Sequence, residues 1–236
     1  MPDSHKTPPW PDNFSGIVRL FPLPNLVMFP HVIQALHIFE PRYRSLLEAA
    51  VESDQLIAMA FLMPGWEPHY HEQPPIAPTV CVGRIINHVR LADGNYNLLL
   101  MGMHRAKIVR ELPLEHAFRR AEVAVIQDAY QPNFAETRTV ERRRLLEAFR
   151  QYIPHSATVE DQIRQLLDED ISLGVLTDMV AHTMSLPSAL KLELLAEPQV
   201  DLRIRRLMEH FEAYSNAKPE SALPEIKEFP PQFSNN

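Results

Sequence analysis

The sequence predicts an α+β fold in which a β-rich part is followed by an antiparallel α-helical bundle. Up to about residue 130, short apolar runs alternate with prolines and turn residues, which is typical of strands. From about Glu136 the apolar residues recur every three or four positions, which is typical of amphipathic helices. The 236 residues, 45% of them hydrophobic, suffice for one large domain or two small ones with a substantial core.

The β-rich part opens with two predicted strands and one helix. Residues 17–23 and 32–39 are apolar and bounded by prolines, as strands often are. Pro41 predicts a helix start, because the N–H that proline lacks would be unsatisfied in the first turn anyway. The helical spacing predicts one buried face: Tyr43, Leu46, Leu47, Ala50 and Val51.

The rest of the β-rich part predicts a buried strand, a loop, a hairpin and a closing strand. Residues 55–63 form a compact apolar run, and the proline-rich residues 63–78 indicate a long loop. Residues 79–110 predict a hairpin around Asp93-Gly94, since both positions tolerate the positive φ of a tight turn. With a further strand over 121–127, this pattern predicts a small closed or nearly closed barrel.

The helical part carries several apolar stripes separated by prolines. Pro154 divides two of them, a third helix is predicted over 171–184, and Pro187 and Pro198 precede the last two. Short links between amphipathic helices predict antiparallel packing. The first two stripes are Leu145, Leu146, Phe149, Tyr152 and Ile153, and then Val159, Ile163, Leu166 and Leu167.

Four segments follow from this pattern. Residues 1–14 are polar and proline-rich and predict a flexible arm, and 15–130 form the β-rich subdomain. Residues 131–215 form the helical bundle, and 216–236 predict a flexible tail.

Composition and charge narrow the class of protein. The net charge of -7 disfavours non-specific nucleic-acid binding, which depends on neutralising phosphates. The longest apolar run, residues 56–63, is far shorter than the roughly 20 residues of a membrane helix. The first residues lack the apolar core of a secretory signal, and the single cysteine, Cys81, suits a reducing compartment. We therefore expect a cytoplasmic protein.

Three segments together resemble one known family. Residues 20–50, LFPLPNLVMFPHVIQALHIFEPRYRSLLEAA, resemble the opening of the Lon protease N-terminal domain, the LON substrate-binding domain. They look especially like the small bacterial proteins that consist of that domain alone. Residues 82–108 resemble its Arg-Ile strand, Asp-Gly turn and Gly-x-x-Arg-x-x-Ile run. The third segment has Leu176-Thr177-Asp178, then Lys191 with Leu194 and Leu195, and finally Leu202 and Arg205.

The resemblance covers residues 17–215 and implies both fold and function. It implies a PUA-like β-barrel subdomain followed by the helical bundle. One departure is Val80-Cys81, where family members usually carry Gly-Thr. None of the six glycines lies in a phosphate-loop pattern, so the resemblance implies binding without ATP hydrolysis or proteolysis.

The function that the resemblance implies is non-catalytic polypeptide recognition, with no cofactor. The expected partners are unfolded or exposed polypeptide segments, together with a protease or chaperone of protein quality control. Apolar side chains of a groove would take the segment and arginines would orient it. Asp178 and Arg84 are equally compatible with internal polar anchors. The predicted polypeptide-binding residues are Phe29, Arg42, Phe61, Met63, Trp66, Met103 and Arg105.

Two alternatives stay open at this point. A small hydrolase could use Cys81 or the loop with His69 and His71, although a thiol inside an apolar strand is usually buried and inert. That loop could also hold a metal, but no second ligand cluster accompanies it, and we predict none. An RNA-binding module could use the barrel and Arg142-Arg143-Arg144, although a solvated helix face explains these arginines more simply.

Overall fold

The computed structural model describes residues 10, 14–70, 72–152 and 171–217. Within these residues the chain forms six strands and five α-helices, so the α+β class is confirmed. No helix among them is long and apolar enough to cross a bilayer. The elements are β1 (Ile17–Leu23), β2 (Ile33–Ile38), α1 (Pro41–Val51), β3 (Leu56–Phe61), β4 (Thr79–Arg90), β5 (Tyr96–Glu111), β6 (Arg120–Ile126), α2 (Arg138–Arg150), α3 (Leu173–Thr183), α4 (Ser188–Ala196) and α5 (Val200–Ala217).

The predicted elements lie close to the observed ones. Helix α1 begins at Pro41 and buries four of the five residues predicted for its inner face. Strand β3 is buried along its whole length, as its unbroken apolar run predicts. Gly94 adopts a φ of 84° in the turn between β4 and β5, which is why the Asp-Gly pair suits this turn. The stripe predicted over residues 159–167 lies outside the described residues.

The strands form one six-stranded sheet in the order β2-β5-β4-β3-β1-β6. Strands β1 and β3 pair in parallel, and the other pairs are antiparallel. The long strand β5 pairs with β2 through its first half and with β6 through its second half. Strands β1, β3, β4, β5 and β6 therefore follow one another in a cycle of pairings, while β2 has one neighbour.

Where the strands of the cycle pack most closely, both of their faces are buried, against two separate apolar clusters. Successive residues of a strand point to opposite faces, so Val80 and Val82 enter the smaller cluster while Cys81 enters the larger one. The smaller cluster contains several alanines and valines and lies among the strands. The larger cluster joins β-strand residues to α1 and to α2–α5, so the β-rich and helical parts share a continuous core.

The segment that precedes β2 passes unusually close to β5 at Gly102. A Cβ atom at this position would lie 2.1 Å from the carbonyl oxygen of Phe29, which real Cβ atoms do not tolerate. Backbone hydrogen bonds fix the approach: the N–H of Gly102 donates to Val32 and the N–H of His31 donates to Gly102, both at 2.8 Å. His31 itself takes a φ of 65°, so the segment before β2 is sharply bent.

We expect Gly102→Ala to destabilise the protein by roughly 2 to 4 kcal/mol, because the added methyl group would displace buried backbone. Gly65→Ala is the matched control: its φ is 87° but its surroundings are empty, so only about 1 kcal/mol should be lost. Urea unfolding of both variants measures the difference. Equal losses would show that the Phe29 segment moves away freely.

Candidate functional site

Four of the seven predicted polypeptide-binding residues are buried and need correction. Phe29 and Met103 are fully buried, and Arg105 and Phe61 are 3% and 8% exposed. Met103 belongs to the smaller cluster, and Phe29 and Phe61 belong to the larger one. Since the strands are covered on both faces at these positions, these side chains are part of the core and do not present a surface to a bound segment.

The other three residues lie at the loop between β3 and β4 or beside it. Met63 is 36% exposed at the start of this loop, and Trp66 is half-buried. The Trp66 ring packs edge-on against Tyr70, with the ring centroids 5.2 Å apart. The guanidinium carbon of Arg42, from the first turn of α1, lies 4.4 Å from the Tyr70 ring centroid and 4.7 Å from that of Tyr43.

Hydrogen bonds hold Arg42 in this arrangement. Its Nε donates to Glu40 Oε2 at 3.1 Å, and its Nη1 donates to the carbonyl oxygen of Tyr70 at 3.1 Å. The Tyr70 hydroxyl donates to the other oxygen of Glu40. Burial, followed by the hydrogen bond with Glu40, raises the pKa of Tyr70 above its usual value, so its hydroxyl stays protonated. The loop is thereby tied to the start of α1.

A cleft of about 100 Å³ opens beside these residues, and we call it the Arg42 cleft. It can take one bulky side chain but not a folded element. Leu114, 56% exposed, lies at its edge on the β5–β6 loop. The lining residues are apolar on one part (Leu20, Pro22, Tyr43, Leu62, Pro74, Leu114, Ala117 and Phe118) and polar on the other (Arg42, Tyr70, Glu72, Gln73 and Arg119).

The sequence interpretation missed Tyr70, Leu114 and Phe118 as parts of this cleft. Tyr70 lies between His69 and His71, and this spacing suggests metal binding instead. Leu114 and Phe118 are distant in sequence from Arg42, and no local pattern indicates that the β5–β6 loop returns to it. The preceding glycine and surrounding prolines are the signal that identified Trp66.

Arg105 is an internal anchor in a group of four charges, of which three are buried and the fourth, Asp128, is partly exposed. Its Nη2 lies 2.6 Å from Asp178 Oδ1, its Nη1 contacts Asp128, and its Nε donates to the carbonyl oxygen of Leu195 at 3.1 Å. Arg203 lies 2.6 Å from the same Asp178 oxygen and 2.6 Å from Asp128 Oδ2. Asp178 and Arg203 are each 1% exposed. Asp178 is therefore an internal polar anchor in this fold.

This four-charge network connects distant parts of the chain. Arg105 comes from β5, Asp178 from α3 and Arg203 from α5, while Asp128 follows β6. Burial alone would lower the pKa of Arg203, but Asp178 and Asp128 outweigh it and hold the pKa above its usual value. Two arginines and two aspartates balance in charge, which makes the burial tolerable.

His31 lies beside the network in its left-handed backbone conformation. Burial lowers the pKa of its imidazole. Among its neighbours, Asp178 and Asp128 act to raise this pKa, whereas Arg105 and Arg203 act to lower it. The net lowering means that the folded protein favours neutral His31.

Among the described residues, nothing supports the hydrolase and metal alternatives. Cys81 is fully buried, and burial raises the pKa of its thiol, which disfavours the reactive thiolate. His69 is exposed and lies 3.0 Å from Glu72, while His71 lies outside the described residues. Within the described part of the chain, no three His, Cys, Asp or Glu side chains are placed to hold a metal ion.

Some arginines of α2 have hydrogen-bond or ion-pair partners within the fold. Arg142 Nη1 donates to the carbonyl oxygen of Ile171 at 2.6 Å, and Arg144 lies 3.5 Å from Glu141. Two of the three consecutive arginines therefore have internal partners. This arrangement does not favour the RNA-binding alternative.

The fold is that of Lon N-terminal domains. The N-terminal domain of Lon protease from the Mycobacterium avium complex superposes with a TM-score of 0.62 at 17% identity, over 83% of this chain and 98% of that one. A Lon N-terminal domain protein from Xanthomonas campestris gives a TM-score of 0.56 at 21% identity, over 82% and 97% of the two chains.

The sequence identifies the family. Residues 17–213 match the ATP-dependent protease La (LON) substrate-binding domain, and the chain belongs to this family. It is 27% identical over 191 residues to Lon protease 2 of Herpetosiphon aurantiacus, covering 80% of this chain and 23% of that protein. It is 25% identical over 213 residues to Lon protease of Aquifex aeolicus, covering 89% and 26%. The chain spans about a quarter of the length of these proteases.

We expect Asp178→Ala to destabilise the protein by about 3 to 5 kcal/mol, because it leaves Asp128 as the one counter-charge within contact of both buried arginines, Arg105 and Arg203. Glu122→Ala is the control, since its ion pair with Arg110 is exposed and should contribute less than about 1 kcal/mol. Urea unfolding at neutral pH measures both. A loss from Asp178→Ala no larger than that of the control would contradict a structural role for the network.

We expect His31 to make stability fall as the solution is acidified. Its folded-state pKa is lowered, so its contribution is fully present above the unfolded pKa of about 6.5 and is lost as pH falls toward the folded value. His31→Asn keeps a residue that tolerates positive φ but removes the titration. Unfolding free energies measured from pH 7.5 down to about pH 5 should decline less steeply in the variant. Equal slopes would show that His31 is not coupled to folding.

Proposed function

We propose that this chain binds exposed apolar segments of polypeptides without cleaving them, and that the Arg42 cleft with Trp66 and Met63 is its binding surface. The observation that carries the proposal is the match of residues 17–213 to a substrate-binding domain family. The three residues of the predicted site that are not buried support the location, because Met63, Trp66 and Arg42 all lie around one loop.

The binding mechanism uses one anchoring side chain and a fixed charge. An apolar side chain enters the Arg42 cleft between Leu114 and Phe118, and the neighbouring residues of the segment pack on Trp66 and Met63. The Arg42 guanidinium lies against the Tyr43 and Tyr70 rings, so it is pre-positioned to donate hydrogen bonds to a carbonyl or carboxylate oxygen of the segment. Since only one or two side chains are buried, binding is weak and tolerant of sequence.

The proposed architecture around this surface is a small PUA-like barrel, residues 15–130, joined to a helical bundle, residues 131–215. The cycle of pairings among β1, β3, β4, β5 and β6, with alanines and valines between them, supports the barrel. The contacts of α2 and α3 with α5 support the bundle. We further propose a cytoplasmic, ATP-independent adaptor or chaperone-like role in protein quality control, with no catalysis and no cofactor.

We expect Trp66→Ala and Arg42→Ala each to weaken binding of a permanently unfolded polypeptide about tenfold, which corresponds to about 1.4 kcal/mol. Fluorescence anisotropy of reduced, carboxymethylated and dye-labelled lactalbumin measures the affinity. Val140→Ala and Arg144→Ala are matched controls, since both residues are exposed on α2 and do not line the Arg42 cleft.

Two outcomes would contradict the proposal in different ways. If the wild-type protein does not bind the unfolded polypeptide, polypeptide recognition itself is wrong. If it binds, but the two site variants bind as tightly as the Val140→Ala and Arg144→Ala controls, the function stands and the Arg42 cleft is the wrong surface.

A further inference from the structure

The second half of β4 leaves one edge of the sheet open. Strand β3 pairs with β4 only as far as Arg84, and the backbone N–H of Ile85 donates to Gln55 at 2.9 Å. Beyond this point, residues 86–90 have β5 on one side and no other strand of the described chain on the second side. All of residues 86–90 are exposed. We call this stretch the β4 edge.

The hydrogen-bond pattern shows which backbone groups the β4 edge presents. The N–H of Leu91 donates to the carbonyl oxygen of Asn95 at 2.8 Å, so these two opposite residues form a hydrogen-bonded pair. In an antiparallel ladder such pairs alternate with pairs that are not hydrogen-bonded. The register therefore turns the N–H and C=O groups of Val89 towards β5 and those of His88 and Arg90 away from it. Within the described residues, no backbone group is hydrogen-bonded to these outward groups.

Outward backbone donors and acceptors along a strand fit one kind of partner, which is another extended chain. A segment that adds as an antiparallel strand would pair with the N–H and C=O groups of His88 and Arg90. Such main-chain hydrogen bonds do not depend on the side chains of the segment, which suits a member of a substrate-binding domain family. The β4 edge is separate from the Arg42 cleft, because none of residues 86–90 lines that cleft.

The side chains of the β4 edge indicate the composition of the added segment. His88 and Arg90 lie on the same face of the strand, and Val89 lies on the opposite face, where it is 52% exposed. The face of His88 and Arg90 is basic, and residues 86–90 contain no Asp or Glu. Since opposite residues of neighbouring strands share a face, a segment of alternating acidic and apolar residues complements both faces.

A second copy of the chain is a poorer occupant of the β4 edge. If two such edges paired antiparallel with their outward groups matched, His88 of one protomer would lie opposite Arg90 of its partner. This arrangement would bring basic side chains together on one face, which is unfavourable. Residues 86–90 supply no acidic side chain to offset them.

We infer that the β4 edge binds an extended polypeptide segment of alternating acidic and apolar residues, which adds to the sheet as an antiparallel strand. The inference rests on the polypeptide binding proposed above and adds to it a second contact that recognises the backbone. The Arg42 cleft takes a side chain, whereas the β4 edge takes the main chain.

Backbone N-methylation of a short peptide tests this inference. The probe is a dye-labelled Thr-Val-Glu-Val-Glu-Val-Thr peptide, whose two glutamates would lie opposite His88 and Arg90 and direct their N–H groups into the sheet. N-methylation of both glutamates removes these donors and should weaken binding at least about tenfold, as measured by fluorescence anisotropy. N-methylation of two valines is the matched control, because their N–H groups point away from the protein, and binding should change less than about twofold. Equal effects of the two modifications would overturn the inference.

Substitution and hydrogen exchange test the location. His88→Pro removes an outward N–H without removing a hydrogen bond to β5, and it should weaken peptide binding about tenfold. His88→Ala keeps the N–H and should bind within about twofold of the wild type. Amide hydrogen exchange followed by NMR needs no variant: in the wild-type protein, the peptide should slow exchange at His88 and Arg90. Unchanged exchange at both amides would overturn the inference.

Three outcomes separate this inference from the proposed function. If the wild-type protein binds the unfolded lactalbumin but not the peptide, polypeptide recognition stands and the inference is wrong. If it binds neither, both are wrong. If sedimentation equilibrium shows a wild-type dimer that His88→Pro converts to a monomer, a second copy occupies the β4 edge and the inference is overturned.

Discussion

The four-charge network is the constraint on which the rest of the structure depends. Its members are up to 98 residues apart in sequence, from position 105 to position 203. Each is within contact distance of two of the others: Arg105, Asp128, Asp178 and Arg203. A charge in an apolar interior is tolerated only beside its counter-charge, so the four side chains admit few arrangements of their backbones. The network thereby specifies how α3 and α5 sit on β5, which apolar packing alone would specify less sharply.

The local elements of the fold could be predicted from the sequence, because their signals are local. Pro41 marks the start of α1, and Asp93-Gly94 marks the turn of the long hairpin, in each case through the backbone conformation that the residue permits. The pairing of β5 with both β2 and β6 has no such signal. It depends on contacts between residues far apart in sequence, and so do the partners of Arg105.

Only part of the candidate site could be predicted, because some of its residues carry a local signal and others do not. Trp66 follows a glycine in a proline-rich loop, which indicates partial exposure, and it is half-buried. Phe29 and Met103 lie in apolar segments with the same composition as an exposed patch, and only the presence of clusters on both faces of the strands makes them interior. Asp178 lies in an apolar helix and Arg105 in an apolar strand, which indicates that each charge has a partner in the fold but not which residue that partner is.

The pairing of β1 with β6 has a consequence for how the chain is made. Strand β1 leaves the ribosome first, yet its antiparallel partner ends only at Ile126, and the last helix of the shared core ends at Ala217. During synthesis, one edge of β1 has no neighbour for about a hundred residues, which is the situation in which nascent chains associate wrongly. Contacts of such large sequence separation also slow folding. A protein of a family that recognises polypeptide substrates is therefore, while it is being translated, itself a chain with exposed apolar segments.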